Sequence, residues 1–88
     1  MGELLKRAVA GTMESSDAYV EVAPGVGVQI HLESVVAQQF GEAIQSVVRE
    51  VLAELNIENA NVRIVDRGAL ECVIRARVET AILRGKEG

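Results

Sequence analysis

The sequence predicts an α+β fold, a small antiparallel sheet packed against one long amphipathic helix, on three observations. Apolar residues alternate at period two over Ala18–Ala23, over Val26–Glu33 and over Asn61–Asp66. At Ser34 the period lengthens to a helical one and holds it for about five turns. The length of 88 residues, 49% of them apolar, fills one core and leaves no room for a second, so residues 1–88 are expected to form a single domain.

From the N-terminus, residues 1–7 are expected to fray, and Ala8-Val9-Ala10-Gly11-Thr12 is small-sided enough for an edge strand. After the turn Gly11–Asp17, Ala18, Val20 and Val22 share one face of an extended chain, with Tyr19 and Glu21 on the other. Val26, Val28, Ile30 and Leu32 repeat the pattern against Gly27, Gln29, His31 and Glu33, and Pro24-Gly25 supplies a reversal, so these two strands read as an antiparallel hairpin. Val36, Phe40, Ala43, Ile44, Val47, Val48, Val51 and Leu55 gather on one side of a helix, with Ser34 as its N-cap and Asn56 in the left-handed conformation that ends it. Asn61–Asp66 is a further strand. Beyond Gly68, Cys72, Ile74, Ala76 and Val78 interleave with charged residues at period two, which predicts another strand, with a second helix after about Glu79.

Composition excludes several functions. A net charge of -4 and a pI near 4.9 oppose binding to phosphate backbones and anionic lipid, so neither nucleic acid nor membrane is an expected partner. Tyr19 and Phe40 are the only aromatic residues, too few for base stacking. The lone Cys72 permits no internal disulfide, the N-terminus lacks a secretory core, and no apolar run approaches membrane-spanning length, so a cytoplasmic setting is expected.

Catalytic and metal chemistry find little support. His31 has no second ligand at metal spacing and reads as a solvated surface residue; Cys72 reads as a buried, inert thiol. Gly25-Val26-Gly27 lacks the third glycine and following helix of a phosphate loop. No acid pair is flanked by apolar residues that would raise a carboxyl pKa, and no serine-histidine-acid set can assemble around His31. Intrinsic enzymatic activity and a metal site are therefore not expected. The turn Gly11-Thr12-Met13-Glu14-Ser15-Ser16-Asp17 remains: it is either a serine-rich turn whose side chains satisfy backbone amides, or a place where a partner enzyme modifies an exposed hydroxyl.

Ala8-Val9-Ala10-Gly11-Thr12-Met13-Glu14-Ser15-Ser16-Asp17 resembles the A-x-A-G-T-x-E-S-G-D motif of the citrate lyase acyl carrier proteins, the gamma subunits of that complex. Gln39-Phe40-Gly41-Glu42-Ala43-Ile44 is similar to the family's Q-F-G-x-A-I segment, and Asp66 through Glu79 to its D-x-G-A-L-D-C-x-x-R-A-R-x-E segment. The resemblance spans nearly the whole chain. Its one departure near the motif is Ser16, where the family usually has glycine.

The resemblance implies a non-catalytic carrier. Its prosthetic group, 2'-(5''-phosphoribosyl)-3'-dephospho-CoA, would be attached covalently to Ser15 by a prosthetic-group transferase. The acetyl thioester on that group would be exchanged for a citryl thioester on the alpha subunit and cleaved on the beta subunit to oxaloacetate, with any metal for that step on the beta subunit. Tethering makes each transfer intramolecular. Glu14 and Asp17 flank Ser15 with no nearby cation, so they either steer basic surfaces of the transferase or of the alpha and beta subunits, or serve only to keep the turn soluble. Two alternatives stand beside this reading: the acyl carrier subunit of malonate decarboxylase, against which the G-T-x-E-S and A-L-x-C segments argue, and a non-catalytic α+β interaction module.

Overall fold

In the computed structural model, which describes residues 3–34 and 37–87, with side chains from 39 onward in the second stretch, the strand with the most buried residues lies inside the sheet. This strand is β4 (Ala60–Asp66), buried at 60, 62, 64, 65 and 66. It pairs antiparallel with β2 (Ala18–Ala23) and parallel with β3 (Val28–Ser34), while β1 (Ala8–Gly11) pairs antiparallel with β2 and occupies the other edge. The order is β1-β2-β4-β3.

The α+β class and the edge position of β1 agree with expectation, but the hairpin does not form. β2 and β3 are consecutive in sequence and separated in space by β4, so the sheet is mixed rather than wholly antiparallel. The physical reason lies in burial. β3 alternates half-buried and exposed residues and is suited to an edge, whereas β4, with Val62 and Ile64 fully covered, requires neighbours on both sides. The segment expected to make the hairpin turn instead reaches the start of β4: Ala60 N–H donates to the Gly27 carbonyl at 2.9 Å, and Gly27 N–H to Asn59 Oδ1 at 2.9 Å.

Helix α1 (Ala37–Glu54) connects the two parallel strands and is the predicted amphipathic helix. Ile44, Val47, Val48, Val51 and Leu52 are buried, but Phe40 and Ala43 on the expected inner face are exposed, and Val36 lies outside the described residues. Ser34, expected as the N-cap, is the last residue of β3, and its hydroxyl donates to Asp66 Oδ2 at 2.7 Å. The C-terminal stop forms as predicted. Asn56 is left-handed (φ 58), its N–H reaches the Ala53 carbonyl at 3.1 Å, and Ile57 N–H reaches the Leu52 carbonyl at 2.8 Å, with Ile57 and Leu52 both buried.

A second correction concerns α2 (Glu71–Lys86), which is helical where a strand was expected over Cys72–Val78. Its buried residues are Ile74, Val78, Ala81, Ile82 and Gly85, a stripe at spacings of three and four. Period two misleads here because Cys72 and Ala76, which completed the alternation, are small enough to stand on the exposed side; Cys72 is not the buried thiol expected. Good helix formers such as Glu71, Arg75, Ala76 and Arg77 supply the local preference.

Both helices cover one face of the sheet, α2 against β1 and β2, α1 against β3 and α2. The core joins Val20, Val22, Val62 and Ile64 to the helix residues named above. Gln29, His31, Glu33, Asn61 and Arg63 are exposed on the opposite face, as the alternation predicts for His31. Residues 3–7, expected to fray, cross α2: Leu4 is buried, and Leu5 N–H donates to the Gly85 carbonyl at 2.8 Å. Any Cβ at Gly85 would lie 2.9 Å from Leu4 Cδ2, which explains the glycine in the helix.

Candidate functional site

The turn between β1 and β2 is held from two sides. At its entry Gly11 has φ +85, and a Cβ there would come within 1.8 Å of the Ala18 carbonyl oxygen, so glycine is required for the strand to turn so tightly. At its exit Asp17 gathers both ends: Oδ2 accepts from the Thr12 hydroxyl at 2.7 Å and the Thr12 N–H at 3.2 Å, and Oδ1 accepts from the Ala18 N–H at 2.7 Å. Thr12 Oγ1 in turn accepts the Glu14 N–H at 3.2 Å, and the Asp17 N–H returns to the Glu14 carbonyl at 3.1 Å. This is the side-chain-to-backbone bonding that serine, threonine and aspartate favour in turns.

Two other elements fix the turn in place. Where β4 ends, the Arg67 carbonyl accepts the Ser16 N–H at 2.8 Å and the Arg67 N–H donates to the Asp17 carbonyl at 2.9 Å. From α2, Arg77 donates through Nε to Asp17 Oδ1 at 3.0 Å and through Nη2 to Oδ2 at 3.2 Å. The Thr12 hydroxyl first, then Arg77 and the Ala18 amide, stabilise the Asp17 carboxylate and lower its pKa from 3.8 to about 2.

Thr12, Met13, Glu14, Ser15 and Ser16 are all exposed. Among the described residues no hydrogen bond engages the Ser15 hydroxyl. Ser16 adopts φ 66, a left-handed conformation that suits the glycine its place in the motif usually holds. Glu14 is exposed. Asp17 is not a free acid: its side chain is 15% exposed and paired with Arg77, which overturns the expectation that no cation stands beside it.

The loop leading into α2 is shaped by Asp66, which is 1% exposed. Its Oδ1 accepts the Gly68 N–H at 3.1 Å and the Ala69 N–H at 2.9 Å, while Oδ2 takes the Ser34 hydroxyl. Asp66 and Arg77 both support the site and neither was singled out from sequence. An aspartate two residues before a glycine is a readable turn signal for the first; nothing local marks the second. Beside this loop a cavity of about 240 Å³ opens between α1 and α2, lined by Phe40, Ala43, Val47, Leu70 and Ile74. Among the described residues no group of His, Cys, Asp and Glu could hold a metal ion, and no helix is long and apolar enough to cross a membrane.

A family model described as Malonate decarboxylase delta subunit (MdcD) matches residues 5–85. The citrate lyase acyl carrier protein of Escherichia fergusonii is 54% identical over 87 residues, covering 97% of this chain and 90% of that protein. The chain belongs to the citrate lyase acyl carrier protein family. Another citrate lyase acyl carrier protein, from Klebsiella pneumoniae, is 54% identical over 82 residues, covering 91% of this chain and 84% of the relative. The fold recurs in a chain of a Pseudomonas malonate decarboxylase hetero-tetramer solved with malonate, at a TM-score of 0.77 and 24% identity over 94% of this chain and 88% of that one. The family model and this structure tie the citrate lyase carriers to a shared fold with the malonate decarboxylase subunit.

Proposed function

We propose that this chain is the acyl carrier subunit of citrate lyase and that Ser15 bears its phosphoribosyl-dephospho-CoA group. The observation that carries the reading is the exposed Ser15 hydroxyl, without a hydrogen bond among the described residues, on a turn whose backbone is tied at Ser16 and Asp17 and whose ends are joined through Thr12 and Asp17. A phosphodiester there meets no covering side chain among its exposed neighbours, so the site fits a bulky attached group. When attached, the group supplies a terminal thiol for carrying acyl groups.

The chain's own contribution is mechanical and electrostatic. The turn holds the attachment point outside the fold, so that the arm starts from a fixed place on a rigid body and reaches separate active sites at high effective concentration. Glu14, exposed and without an ion pair among the described residues, is placed to steer a basic surface of the transferase or of the alpha and beta subunits; Asp17 serves the turn instead. In this reading the chain has no catalytic residue and works in a cytoplasmic complex. The relatives more than half identical to it are named for citrate lyase, which favours that parent over malonate decarboxylase.

The test is intact mass and peptide mapping of protein made together with the loading enzymes. The wild type and Ser16→Ala should gain one adduct, mapped to Ser15, and Ser15→Ala should gain none. An adduct that persists in Ser15→Ala would refute the assignment, and an unmodified wild type would leave the interaction module as the better reading.

A further inference from the structure

Among the described residues one side chain ties the turn that carries Ser15 to α2, and we propose that Arg77 is a positioning residue for loading: acting through Asp17, it holds the turn in the conformation that offers Ser15 to the modifying enzyme. The inference rests on the carrier reading above. Its basis is the division of labour around one carboxylate. Asp17 alone would bring Thr12 and Ala18 together and close the turn on itself. Closure does not orient the turn relative to the rest of the molecule.

Arg77 supplies that orientation. Its planar fork meets both carboxylate oxygens, at 3.0 and 3.2 Å, so the contact fixes an angle as well as a distance, which a single-point ammonium would not. The stem of the same residue lies along the start of the turn, close enough that a Cβ on Gly11 would stand 3.1 Å from Arg77 Cδ. The opposite side is fixed by the backbone bonds from Ser16 and Asp17 to Arg67. Between these ties the side chains of Met13, Glu14, Ser15 and Ser16 are exposed.

Arg75, on the same helix, provides an internal control. It pairs with Glu50 at 3.0 Å and Glu54 at 3.4 Å on α1 and, among the described residues, makes no hydrogen bond or ion pair with the turn. Both arginines tie α2 to another part of the fold, and only Arg77 touches the attachment turn.

Loading of apo protein is followed by intact mass at varied carrier concentration, alongside amide hydrogen exchange over residues 12–17, at a temperature where all variants are folded. Arg77→Gln should raise the carrier KM by about tenfold with little change in kcat, because only a fraction of turns is then in the competent conformation. Exchange over the turn should quicken in parallel. Arg77→Lys should recover part of the loss, Asp17→Asn should match Arg77→Gln, and the double variant should be no worse than either single one. Arg75→Gln should load as the wild type. Wild type that loads while Arg77→Gln keeps its KM would overturn the role of Arg77, as would an equal rise in KM for Arg75→Gln. Wild type that gains no mass would refute the carrier reading itself.

Discussion

Asp17 and Arg77, 60 residues apart in sequence, meet through two hydrogen bonds and close the base of the turn that carries Ser15. Arg77 sits on the outer flank of α2 with its side chain 41% exposed, while Asp17 is mostly covered. The pair therefore acts chiefly by geometry, since exposure to water and salt weakens its Coulomb energy.

The pH behaviour of the turn follows from Asp17. Its folded pKa is lowered from 3.8 to about 2, so the unfolded chain takes up its proton first as pH falls. The stabilising contribution is complete above pH 3.8 and disappears as pH drops through about 2. NMR titration of the Asp17 carboxyl carbon and the Thr12 amide should give a common midpoint near 2; a midpoint at the ordinary aspartate value would show that the network does not persist in solution.

Ser16→Gly should stabilise the protein by about 0.5–1 kcal/mol, because a left-handed backbone costs a serine more than a glycine even after the entropy of the unfolded glycine is counted. The corresponding rise in melting temperature is a few degrees for a domain of this size. Ser16→Val should be destabilising. Urea unfolding at neutral pH measures both, and a loss of stability in the glycine variant would contradict the conformation found here.

Replacing Asp66 with alanine strands the Gly68 and Ala69 amides beside a nearly buried position and removes the carboxylate that the Ser34 hydroxyl donates to. A loss of about 2–4 kcal/mol is expected. Asp66→Asn keeps an acceptor oxygen for the two amides and should recover part of it. Urea midpoints compared at constant m-value provide the check.

Cys72 should react with a maleimide in the native protein at the rate of an exposed thiol, and Cys72→Ser should change stability by less than about 0.5 kcal/mol. Ile82→Ala, on the buried stripe of the same helix, should cost about 2–5 kcal/mol. A protected thiol would restore the strand reading of this segment.

Local pattern alone determined the α+β class, the long helix with its left-handed stop at Asn56, the alternating faces of Ala18–Ala23 and Asn61–Asp66, and the exposed serines of the turn. Each depends on periodicity or turn chemistry acting over a few neighbouring residues. Strand pairing does not: β2 and β3 look like hairpin partners until β4, arriving after α1, takes the place between them, buried at five positions where β3 is only half-buried and suits an edge. The nature of α2 was likewise settled by packing, since Ile74, Val78 and Ile82 reach the core only as a helical stripe while Cys72 and Ala76 are content in water. Local pattern makes Arg77 one of several charged residues alternating along its segment, and only the docking of α2 on β1 and β2 brings its guanidinium to Asp17. Short-range preferences are written in the order of residues; which distant surfaces meet is decided by the burial of the whole chain at once.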